Sequence, residues 1–82
     1  MRLFNAGDAN LYHETLKKLR YQKGITQLHL ADLLGRPQSF VSKYESGERR
    51  LDVGEFIQVC RALNEQPSDV IQLIEKGMKR GV

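Results

Sequence analysis

In "QSFVSKYESG", residues 38 to 47, helical spacing puts Gln38, Ser39, Ser42 and Lys43 on one side and Val41 with Tyr44 on the other. The first four are hydrogen-bonding groups. Glutamine pairs with adenine through two hydrogen bonds, lysine donates to guanine acceptors, and serine serves several base edges, so this face suits contact with bases. The same four residues also suit an ordinary solvated helix face, and composition alone does not separate the two readings.

Other chemistries find less support. His13, His29 and Cys60 fall on different helical segments, and no two candidate ligands or catalytic groups stand at a recognised spacing. The sequence therefore predicts no metal site, no cofactor and no enzyme. Cys60 belongs to an apolar stripe and reads as a packed, inert thiol. Gly35 and Gly47 read as helix stops rather than as a phosphate-binding loop.

Helices must carry the base-facing residues into place, because apolar positions recur with helical period throughout and no stretch alternates long enough for a strand. Five helices are predicted over 10–23, 26–34, 37–46, 52–63 and 67–76, with a flexible arm at 1–9 and a tail at 77–82. Asn10 is the expected cap of the first. Thr26 caps the second, with Ile25 and Leu30 as a hydrophobic staple, and the helix ends at Gly35. Pro37 fits the first turn of the third helix. Asp52 and Glu55 form a capping box on the fourth, where Phe56, Val59, Cys60 and Leu63 face inward. Pro67 opens the fifth.

The crossing of the second and third helices matters most. Two short helices joined by a tight turn meet at a steep angle, with Ala31 at the close approach and Leu30, Leu34, Val41 and Tyr44 in the core. Phe40, one turn before Tyr44, either packs at the core edge or meets a thymine methyl, and packing is favoured.

Eighty-two residues are expected to make one domain with a single core, without room for a ligand-sensing domain. Residues 1 to 50 carry nine basic and five acidic side chains, against four and five in the remainder, so the positive charge belongs to the half containing the base-facing residues. One cysteine excludes an internal disulfide and fits a reducing, cytoplasmic setting. No run approaches the roughly 18 apolar residues of a membrane span, and no signal peptide is evident.

The run "GITQLHLADLLGRPQSFVSKYESGERRLDVGEFIQVCRAL" resembles the phage-repressor and Cro-like (Xre-type) helix-turn-helix family. It shares the opening Gly-Ile-Thr-Gln, Ala31, Gly35, the Gln-Ser start of the third helix, and Glu-Ser-Gly-Glu-Arg at its end. The likeness extends over about residues 12 to 74. It implies an all-α, compact five-helix, lambda-repressor-like DNA-binding domain, with the helix-turn-helix at helices two and three, acting as a dimeric regulator on double-stranded DNA.

By the same resemblance Gln38, Ser39 and Lys43, with Ser42 nearby, match base-reading positions. Gln27, Arg20, Arg36, Arg49 and Arg50 are expected near phosphates, and Arg20 with Glu45 matches a structural pair. Two departures stand out. His29 replaces a glutamate that would close a capping box, and Pro37 replaces a capping Ser or Thr.

Val70, Ile71, Leu73 and Ile74 are more apolar than a short helix in so small a domain can bury, which makes Val70, Ile71 and Ile74 candidates for a homodimer interface. A dimer reads two half-sites about 34 Å apart and hence a near-palindrome. The competing expectation is an antitoxin or protein-interaction module on the same fold, with another protein as its main or regulatory partner.

Overall fold

The computed structural model describes residues 11–78. Five helices follow in order: α1 (Leu11–Gln22), α2 (Gln27–Leu34), α3 (Gln38–Glu45), α4 (Val53–Ala62) and α5 (Pro67–Gly77). No strand occurs among the described residues. The expected cap Asn10, the arm at 1–9 and residues 79–82 lie outside them.

Each helix end has a local cause. The Thr26 side chain accepts the His29 N–H at 3.1 Å to start α2. The α2 end is a left-handed Gly35, φ 66°, where the Arg36 N–H reaches back to the Ala31 carbonyl at 3.0 Å. Pro37 is the N-cap of α3 rather than its first residue. Its ψ of 152° is extended and it makes no side-chain cap bond. On α4 the Asp52–Glu55 capping box is complete in both directions. Asn64 takes the left-handed position that ends α4, at φ 58°, and the next N–H bonds the Cys60 carbonyl at 2.8 Å.

The helices pack α2 on α3 and α4, α1 on α3 and α5, and α4 on α5. Leu16, Leu30, Val41, Tyr44, Val59 and Leu63 are wholly buried where these contacts converge. Each such aliphatic side chain contributes roughly 1.5–3 kcal/mol by leaving water. Leu34 and Phe56, expected inside, are half-buried at the core's edge. The Tyr12 hydroxyl accepts the Leu51 N–H at 2.9 Å, tying α1 to the α3–α4 connection.

The α5 helix corrects the expected dimer face. Val70 and Ile74, at i and i+4, are 2% and 9% exposed and belong to the domain's own core. Ile71 and Leu73 lie to either side of that stripe and are about half exposed.

Candidate nucleic-acid interface

Helix α3 has eight residues and two unlike faces. Phe40, Val41, Tyr44 and Glu45 are buried, which fixes the helix's rotation and leaves Gln38, Ser39 and Lys43 exposed with Ser42 half-buried beside them. The Ser42 hydroxyl donates to the Ser39 carbonyl at 3.3 Å. The four expected base-facing residues thus share one surface, presented by a helix whose opposite side is locked into the core.

On one flank of that surface lies a buried ionic network. Arg20 Nε donates to Glu45 Oε2 at 2.7 Å, its Nη2 to Oε1 at 2.9 Å, and its Nη1 to the Ile25 carbonyl at 2.8 Å. Gln27 Nε2 donates to the same Glu45 Oε1 at 2.9 Å. The hydrogen bond to Glu45 and that carboxylate's charge raise the Arg20 pKa against the opposing effect of burial. Arg20 and Glu45 are therefore a structural pair that clamps α1 to α3. Arg20 itself is 5% exposed and each of its three guanidinium nitrogens donates to a group inside the protein, which turns it away from the expected phosphate contacts. Gln27, at the first position of α2, keeps one amide N–H and its carbonyl oxygen beyond the bond to Glu45.

On the other flank stand Arg36, Arg49 and Phe40. Arg49 forks onto Glu55 at 2.9 and 3.0 Å, and Arg36 lies 3.4 Å from the same carboxylate. The Arg49 bond, the Asp52 backbone N–H and the nearby positive charge hold the Glu55 carboxyl down at about 2. Phe40 is 7% exposed and meets Tyr44 edge to face at 5.7 Å, so it packs, as its spacing favoured. Arg50 is exposed.

Three features were not foreseen from sequence. Glu55 reads in the sequence as part of a helix cap, and nothing in its spacing from Arg36 or Arg49 announces that it also gathers both arginines. His13 is buried beside the Tyr44 backbone, and burial, then the charge of Arg50, pushes its pKa down. The Tyr44 hydroxyl is buried with no hydrogen-bond partner among the described residues, and burial raises its pKa. Burial likewise pushes the Cys60 thiol up to about 11, as suits a packed cysteine. Among the described residues no group of acids, histidines and cysteine is placed to hold a metal, and no helix is long and apolar enough to cross a membrane.

A braced short helix, a left-handed turn and a second helix with one exposed polar face and a cationic flank define a helix-turn-helix of the DNA-binding class. Residues 16–70 match the family model described as helix-turn-helix. The chain is 37% identical over 54 residues to the uncharacterized HTH-type transcriptional regulator YqaE of Bacillus subtilis (strain 168), a match covering 66% of this chain and 47% of that protein. This chain thus matches about half the length of that curated relative. Among solved structures it is similar to an XRE-family like protein from Pseudomonas syringae pv. tomato str. DC3000, with a TM-score of 0.82, 42% identity and 89% of each chain covered. It is also similar to the restriction-modification controller protein C.AhdI from Aeromonas hydrophila, with a TM-score of 0.69, 29% identity, and 80% of this chain and 98% of that one covered. The chain belongs to the Xre-type helix-turn-helix family, whose members are DNA-binding transcription regulators and not enzymes.

Proposed function

We propose that this chain is a sequence-specific transcription regulator that binds a palindromic operator as a homodimer, repressing or controlling the adjacent gene. The observation that carries the reading is the exposed face of α3, where Gln38, Ser39, Ser42 and Lys43 stand opposite a fully buried face. In the major groove these four would read base edges, while Gln27, Arg36 and Arg50, with Arg49 beside them, would approach phosphates on either side. Gln27 has a further advantage at the N-terminus of α2, where backbone N–H groups favour an anion.

Dimerisation would add a second recognition helix and double the sequence read. Ile71, exposed on α5 beside the core stripe, is the retained candidate for that contact. A role like that of a restriction-modification controller fits the likeness to C.AhdI.

Selection of duplexes from randomised DNA by the purified protein tests the reading. A short palindromic consensus is the expected result. Recovery of sequences with no common motif would sink it.

A further inference from the structure

Glu55 gathers more partners than a helix cap needs. Besides the Asp52 N–H at 3.0 Å it accepts the Arg49 fork, and it faces Arg36 at 3.4 Å. Both guanidinium groups also lie over the Phe40 ring, Arg36 at 4.5 Å and Arg49 at 4.9 Å from its centroid. The two arginines are held unequally. Arg49 commits Nη1 to Glu55 and to the Arg50 carbonyl, and Nη2 to the second Glu55 oxygen. Arg36 has only the 3.4 Å contact with the carboxylate, longer than a good N–H···O bond, although the two arginine side chains are about equally exposed, 38% and 40%. One carboxylate offsets one guanidinium, so the cluster keeps a net positive charge. That charge rests on Arg36, the arginine with the weaker tie.

We propose that Phe40, Arg49 and Glu55 form a platform that positions Arg36, and that Arg36 rather than Arg49 takes a DNA phosphate beside the recognition helix. The proposal rests on the DNA-binding reading above. The Phe40 ring restrains the Arg36 guanidinium before DNA arrives, so less side-chain freedom is lost on contact. A phosphate offers Arg36 the paired acceptors that Glu55 has already given to Arg49. The fork has a second consequence. When Arg36 turns to the phosphate, Glu55 stays neutralised by Arg49, and no unpaired carboxylate faces the DNA. The aromatic side chain at position 40 thereby acquires a role beyond filling the core edge.

The experiment measures binding of the full chain to the selected duplex over a range of NaCl concentrations. The slope of log Kobs against log salt changes by about 0.9 for each phosphate contact. Arg36→Gln is expected to flatten the slope by about 0.9 per protomer, hence by about 1.8 for a dimer on the palindromic duplex. Arg49→Gln alone should do the same, because the released Glu55 would draw Arg36 away from the phosphate. Adding Glu55→Gln to Arg49→Gln should restore the wild-type slope, a rescue by a second loss that a merely structural role for Arg49 would not give. A wild-type slope for Arg36→Gln, or a paired variant as flat as Arg49→Gln, would overturn the proposal. Far-ultraviolet circular dichroism checks that the variants fold, and should the paired variant not fold, Arg36→Gln combined with Arg49→Gln decides: a slope no flatter than that of Arg36→Gln upholds the proposal, and a further flattening overturns it. Should the selection find no common motif, the reading as a sequence-specific regulator falls, while slopes on an arbitrary duplex still decide the role of Arg36.

Discussion

Two arginine–carboxylate pairs flank α3, and they differ in depth. The Arg20 and Glu45 side chains are 6% and 2% exposed, whereas those of Arg49 and Glu55 are 40% and 11% exposed. Depth divides their work. A buried pair is costly to break and cannot follow a ligand, so the first fixes the angle between α1 and α3. A half-exposed pair is screened by water and salt, so the second sits at the surface, where under the proposal it neutralises Glu55 and leaves the neighbouring Arg36 open to a phosphate.

The largest difference between the flanks should appear on cutting the buried pair. Arg20→Met leaves Glu45 charged and unpaired in the interior and is expected to destabilise the domain by about 3–5 kcal/mol in urea unfolding. Adding Glu45→Leu should recover most of that loss, because a well-packed apolar pair can replace a buried ionic one. A loss within the range of surface pairs, about 0–1 kcal/mol, would erase the distinction between the flanks.

Acid should reveal the exposed flank. The folded Glu55 carboxyl titrates near 2 against 4.5 for the free group, so its stabilising effect is complete above about pH 4.5 and fades as pH falls towards 2. His13 acts at higher pH. Its folded pKa lies below 6.5, so stability is full above that value and declines as pH drops beneath it. Unfolding midpoints measured from pH 8 to 2 should show both limbs, with Glu55→Gln removing the lower and His13→Gln the upper. Loss of the lower limb in His13→Gln would show the assignment to be reversed.

The smallest effect belongs to the core between the flanks. Tyr44→Phe removes a buried hydroxyl that has no partner among the described residues, and should leave thermal stability unchanged or slightly higher. A clear loss would mean that the hydroxyl has a partner, such as an internal water.

What the sequence disclosed follows from how local each feature is. Thr26, Gly35, Asp52 and Pro67 act within a turn of themselves, so the starts of α2, α4 and α5 and the end of α2 could be read from neighbouring residues. The exposed face of α3 was equally legible, since helical spacing separates Gln38, Ser39, Ser42 and Lys43 from Val41 and Tyr44. Features that depend on three or more elements meeting were not. Arg20 looked suited both to a phosphate and to Glu45, and only its depth decides for Glu45. Val70, Ile71 and Ile74 look alike in a string of letters, but packing against α1 and α4 takes Val70 and Ile74 inward and leaves Ile71 outside. Glu55 shows the gap most clearly: its cap is a matter of three residues, whereas its hold on Arg36 spans a turn, a helix and a loop.

The central claim is that the exposed face of α3 reads bases while its flanks hold and anchor it. Base preference measured over all single substitutions in the selected operator, for the wild type and for Gln38→Ala and Lys43→Ala, tests it most directly. Each variant is expected to lose discrimination at one defined position per half-site, by roughly 1–3 kcal/mol, with the other positions unchanged. A uniform loss of affinity across all sequences in both variants would contradict it, and would make Gln38 and Lys43 anchors rather than readers.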